Sequence, residues 1–155
     1  MVGGLLSAVV MVALFDELRD IDRSVALLAL VFAITGALGS TIHGGYEVAN
    51  LLHAPASAAP DFPSQLDPRG LATFGFAGLG LLGFASLMRQ TQQFPQGLSL
   101  LGIVTGIALI VVYLGRLVIF SPTNAVVLLA AGVTGFILAP AWYIWLGLSF
   151  RRSRD

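Results

Sequence analysis

Most of this chain lies in apolar runs almost free of charge and long relative to its size, and this constrains its fold more than any other feature. The runs cover residues 1–15, 24–47, 71–88, 97–120 and 124–150 of 155. A helix needs about 20 consecutive apolar residues to cross the hydrocarbon core of a bilayer. Four runs come near or beyond that length, and the first falls short. Charged residues make up only 10% of the chain and hydrophobic ones 57%, whereas soluble domains carry about 25% charged residues. Such a chain has too little polar surface to face water all round, so lipid is its natural solvent. The expected fold is all-α: one polytopic transmembrane helix bundle over residues 1–155, of about five helices, with residues 48–70 as a linker outside the bilayer.

Local chemistry marks the boundaries. Four prolines (Pro55, Pro60, Pro63 and Pro68) fall in the 48–70 stretch. Proline lacks an N–H and disfavours helix in the residue before it, so an extended linker is expected there. Asp22 or Ser24 can cap the second helix. Ser121 followed by Pro122 suits the start of the last. Pro140, inside that last run, predicts a kink by freeing the carbonyl of Phe136. The short first run admits two readings: a helix end lying within the membrane and shielded by protein, or a segment truncated from a longer start. No basic region precedes it, which argues against a cleaved secretory signal.

Orientation follows from the arginines. With the C-terminus in the cytoplasm, that side holds Arg19, Arg23, Arg89, Arg151, Arg152 and Arg154, and the opposite side holds Arg69. Basic residues beside helix ends resist translocation, whereas acidic ones count for little. The expected location is the cell (inner or plasma) membrane, with the 48–70 linker extracytoplasmic. Trp142, Tyr143 and Trp145 would form an aromatic belt at the cytoplasmic interface.

Small residues predict how the helices meet. Lipid tails are as apolar as Leu, so close backbone approach and interhelical hydrogen bonds drive association inside a membrane. Gly36, Ser40 and Gly44 form one small-residue stripe, Gly102 and Gly106 a GxxxG pair, and Ala131, Gly135 and Ala139 a stripe on the last helix. Gly75, Gly78, Gly80 and Gly83 make the third long run small on more than one face. These faces serve tight packing within one bundle, or one of them docks a partner subunit.

Ionisable groups within membrane helices are costly and so become candidates for function. Here they are His43, Glu47 and Arg116. At about 1.5 Å per residue, all three lie roughly 28–35 Å from the cytoplasmic start of their helices. His43 and Glu47 are i,i+4 neighbours with Asn50 one turn on, and Tyr113 lies on the Arg116 side of its helix. The expected polar cluster is therefore His43, Glu47, Asn50, Tyr113 and Arg116, with Glu47 facing Arg116 and the second helix touching the fourth. Alternatively the charges snorkel to headgroups, or His43 ligates haem or a chlorophyll-type pigment, or the cluster binds a headgroup or quinone. His53 is rotated about 80° from His43 on an ideal helix, so the two do not clasp one metal.

Other chemistry is missing from the pattern. The chain has no Cys and a net charge of zero, which leaves no disulfide framework and no basic patch for nucleic acid. It contains no HExxH, no GxSxG elbow, and no GKS or GKT phosphate loop behind its glycines. No catalytic or metal-binding residue is assigned, and no cofactor is required.

The passage MVALFDELRDIDRSVALLAL, from Met11, together with PQGLSLLGIVTGIALIVVYL and PAWYIWLGLSF, resembles the DUF4386-type family of bacterial multi-helix membrane proteins. The resemblance implies the same helical fold and topology, and an additional N-terminal helix that is absent from this chain. It brings no catalytic residues. The function expected is that of a non-enzymatic accessory or scaffold subunit in a membrane assembly, with a cofactor-binding subunit using His43 and a small transporter as the alternatives.

Overall fold

A computed structural model describes residues 1–52, 67–119 and 124–152. Among these residues the chain is helical with no strand: α1 (Val2–Leu18), α2 (Arg23–Leu52), a π-helical turn (Leu71–Phe76) leading into α3 (Ala77–Met88), α4 (Gln96–Ile119), then α5 (Ala125–Val133), a second π-helical segment (Thr134–Leu138) and α6 (Ala139–Arg152). The stretches Arg23–Ala49, Leu71–Met88, Gln96–Ile119 and Ala125–Arg151 are each long and apolar enough to cross a bilayer. The chain is a multi-pass membrane protein built as an all-α bundle.

Most boundaries fall where the apolar runs end, with three corrections. The first helix continues past residue 15 to Leu18, and its 17 residues span about 26 Å. The second runs beyond Glu47 to Leu52, so the expected linker begins later than residue 48. The last span is capped by Asn124, whose Oδ1 accepts from the N–H groups of Val126 (3.0 Å) and Val127 (3.4 Å). Ser121 and Pro122, expected to form that start, lie outside the described residues, as do His53, Pro55, Pro60 and Pro63. Asp22 caps α2 as expected, accepting from the N–H groups of Ser24 and Val25, both at 3.0 Å.

Pro140 acts, but not as a simple kink. It has no N–H to give to the turn before it, and Thr134–Leu138 is wound as π-helix. Widening one turn is a recognised way for a helix to absorb a lost i→i−4 bond. The other π-turn has a different origin. Gly70 sits at φ 73°, in the left-handed region, and its carbonyl accepts from Phe74 at 2.8 Å and from Gly75 at 3.3 Å.

Glycine and alanine set the interhelical register. The third span is the centre of the bundle, running antiparallel to α2 on one side and α4 on the other. A Cβ placed on Gly36 would stand 2.6 Å from the Cβ of Ala77, one on Gly80 2.6 Å from the amide of Ala33, and one on Gly83 2.7 Å from the Cβ of Ala29. On the opposite side, a Cβ on Gly78 would stand 2.7 Å from the Gly106 carbonyl, and one on Gly106 would stand 2.9 Å from that of Gly78. Backbones this close exclude any side chain, which is how membrane helices gain dispersion contact without a hydrophobic driving force. Gly44 belongs to a different interface, against the backbone of Met1, and Gly4 of α1 lies against the Ala37 carbonyl. The expected Gly36–Ser40–Gly44 stripe is thus divided between two partners, with Gly36 on α3 and Gly44 on α1.

The arginine-rich end is closed by large side chains. Trp142 and Leu146 are buried with Leu14, Leu18, Phe84, Met88 and Leu98. A Cβ on Gly102 would stand 2.8 Å from Trp142 Nε1, and one on Gly97 2.8 Å from the Trp145 ring. Trp142 is 0% exposed, which corrects its expected place in an interfacial belt: glycine at 102 opens a socket that draws the indole into the core. Trp145 keeps 39% of its surface exposed.

Candidate functional site

The polar groups away from the arginine-rich end come from the end of α2, the start of the third span and the end of α4. His43 and Glu47 lie one turn apart on α2, and their side chains meet, with Nε2 3.2 Å from Oε1. Between them lies Gly44, against which Met1 at the beginning of α1 rests. This pair is half open to its surroundings, Glu47 more so than His43.

Arg116 is placed elsewhere. Its Cζ stands 4.8 Å above the centroid of the Phe74 ring, a cation–π geometry. Tyr113, one turn earlier, packs beside Gly75. Both side chains therefore face the third span. Among the described residues α2 and α4 nowhere approach each other, since the π-turn and α3 lie between them. The expected Glu47–Arg116 pairing is overturned. Depth matching placed the two residues at the same level, but it carried no information on which helix lies between. The side chain of Asn50 lies outside the described residues.

Two side chains that build this end were not expected in the cluster, Asp67 and Arg69. Asp67 builds the start of the third span: its Oδ1 accepts from the N–H of Ala72 (3.2 Å), and its Oδ2 accepts from the N–H and the hydroxyl of Thr73 (both 2.9 Å). A carboxylate here satisfies helix N–H groups that would otherwise have no partner and complements the positive end of the helix dipole. The signal was present as an Asp-Pro-Arg-Gly turn immediately before an apolar run. Arg69 donates from Nη1 to the Leu117 carbonyl at 3.4 Å, putting a cation on the last turn of α4. Together, Arg69, Phe74 and Arg116 clamp the start of the third span, which Asp67 caps, to the end of α4.

This arrangement suits structure better than chemistry. It couples one cation to a ring and another to a helix carbonyl, and the Thr73 hydroxyl beside the Asp67 carboxylate belongs to the cap of the third span. No group of three or more His, Cys, Asp or Glu able to hold a metal occurs among the described residues. His43 carries Glu47 against its Nε2, so ligation through that nitrogen would first break the pair. At the arginine-rich end, Arg19 pairs with Asp16 at 3.1 Å and Gln93 donates to Glu17 at 2.6 Å. Those contacts are exposed; the first closes the end of α1 on itself, and the second ties α1 to the turn between α3 and α4.

The last span behaves differently from the other helices. Among the described helices its backbone approaches α4 alone, while Trp142 and Leu146 reach into the core at the arginine-rich end. A Cβ at Gly132 or Gly135 would meet nothing within 4 Å, and Ala131 and Ala139 are partly exposed. The expected Ala131–Gly135–Ala139 face therefore does not pack within the bundle, because the helix turns its other side to α4. The Gly102–Gly106 face does pack, against the third span and Trp142. No family model matches the chain, and neither a curated protein nor a solved structure matches it.

Proposed function

We propose that the protein is a non-enzymatic accessory or scaffold subunit of a larger membrane assembly, docking a partner helix on the Ala131–Gly135–Ala139 face of its last span. One contrast carries this reading. Gly36, Gly78, Gly80 and Gly106 are each filled by a neighbouring helix, whereas Gly132 and Gly135 stand open on the same fold. Gly costs about 1 kcal/mol relative to Ala in a helix, and at these two positions no contact among the described residues offsets that cost. Close approach of a second helix would do so. The C-terminus is cytoplasmic in this reading, and the membrane is the cell (inner or plasma) membrane. Kinship with the DUF4386-type proteins fits the same topology.

Extraction from native membranes in mild detergent tests the proposal. The 16.3 kDa chain should migrate within a larger complex of membrane proteins, and Gly135→Leu should release it as a folded single chain. Migration of the unaltered chain alone would overturn the reading. An absorbance spectrum on the same sample tests the cofactor alternative, since a Soret or pigment band abolished by His43→Ala would replace the scaffold role.

A further inference from the structure

The last span stays beside α4 along its described length, through Ala125–Val133, Thr134–Leu138 and Ala139–Arg152 in turn. Among its described residues four side chains are buried: Val127 and Thr134 up to the start of the π-turn, and Trp142 and Leu146 beyond it. An unbroken α-helix would not put these four on one side. At about 100° per residue, Val127 and Thr134 would stand roughly 60–120° around the helix from Trp142 and Leu146. The π-turn removes the mismatch. Its bonds run i→i−5, with the Ala139 N–H donating to the Thr134 carbonyl, so it takes in one residue more than α winding. With that residue discounted, all four fall within one sector roughly 40° wide.

We infer that Pro140 sets the rotational phase of the first half of the last span, and through it which face of Ala125–Val133 meets α4 and which is left outside. Pro140 has no N–H, and in α winding its ring would press on the Phe136 carbonyl. Local π winding is one way a membrane helix accommodates such a residue. Ala125–Val133 holds its own phase weakly, since Val127 is its one buried side chain and a Cβ on Gly132 would meet nothing within 4 Å. Without the proline the turn is free to close as α, which rotates the first half by about 100°. That rotation brings Leu128, an exposed residue, to the place of Val127 against Gly115. The open face follows the same rule: Ala131 and Ala139 stand roughly 20° apart as wound and roughly 80° apart on a plain α-helix. Pro140 sets this phase whether or not a partner covers that face.

Disulfide cross-linking of the full chain in membranes reads this phase directly, because the chain has no native cysteine. The paired fraction is measured as intact mass after alkylation of the remaining thiols. A Cβ on Gly115 would stand 3.2 Å from Val127, so Gly115→Cys should pair under mild oxidation several-fold more with Val127→Cys than with Leu128→Cys. Adding Pro140→Ala should reverse that preference. Deleting Ile137, an exposed residue of the π-turn, from the Pro140→Ala chain removes the extra residue and should restore pairing with Val127→Cys. A Val127 preference that survives Pro140→Ala would overturn the inference, as would loss of both pairs that the deletion does not restore. So would a Leu128 preference while Pro140 is in place. Should Pro140→Ala fail to fold, one alanine inserted after Ile137 with the proline kept should likewise move pairing to Leu128→Cys, and pairing that stays at Val127→Cys would overturn the inference.

Discussion

Arg116 shows how a single residue can be placed at the right depth and still be given the wrong neighbour. Counting residues from the helix starts put it level with Glu47, and a lone charge near hydrocarbon invites a counter-charge. In the fold it lies over Phe74, while Glu47 meets His43 of its own helix. A mutant cycle separates the two pictures. Glu47→Gln and Arg116→Gln should lower detergent thermal stability independently, combining to within about 0.3–0.5 kcal/mol, as expected for sites that share no contact. Arg116→Gln and Phe74→Leu should be coupled, by about 0.5–2 kcal/mol, the range of a cation–π contact from exposed to desolvated. Coupling between Glu47 and Arg116 with none to Phe74 would restore the discarded ion pair. Residue identities alone did not reveal this, because a ring and a carboxylate both suit a guanidinium. Asp67 was more legible: an acceptor three residues before a left-handed glycine, at the head of an apolar run, is a cap signal in its own right.

At the scale of elements, apolar run length was sufficient to identify the helices, because it reports the solvent each one needs. It was less reliable for their ends. A charge at Glu47 reads as a stop, yet α2 continues to Leu52, since the carboxylate meets His43 along the same face and the backbone loses nothing by continuing. The central position of the third span was foreshadowed by glycines on more than one of its faces, whereas the division of Gly36 and Gly44 between separate partners needed coordinates. Glycine substitutions test this assignment. Gly80→Ala or Gly36→Ala places a methyl 2.6 Å from the neighbouring helix and should cost about 1–3 kcal/mol as overpacking. Gly132→Ala and Gly135→Ala meet open space and should leave the isolated chain unchanged or more stable by up to about 1 kcal/mol, from helix propensity. Thermal unfolding of the four variants in one detergent provides the comparison. Equal losses at all four positions would mean that the interfaces are wrongly drawn.

For the whole molecule, the antiparallel order of the spans gathers charge at one end. Arg19, Arg23, Arg89 and Arg151 lie there with Glu17 and Gln93, and the opposite end has Arg69 and Arg116 at the clamp formed by the third span and α4. The positive-inside rule counts basic residues in short loops near helix ends. It applies well here, since the connections 19–22 and 89–95 on the arginine-rich side are brief. Arg69 is bound to the Leu117 carbonyl and Arg116 sits on a ring, so these two cations are held by the fold on the far side. The arginine-rich end should therefore face the cytoplasm, with Met1 and Leu52 outside. The chain has no cysteine, so single cysteines give a clean readout. Leu52→Cys, at a position 72% exposed, should react with an impermeant thiol reagent added to intact cells. Gln90→Cys, in the turn after α3, should react only after the membrane is permeabilised. The reverse pattern would invert the molecule and with it the compartment in which any partner meets the arginine-rich end. Equal reactivity of both cysteines in sealed cells would indicate dual orientation, and the arginine asymmetry would then be too weak to fix the topology.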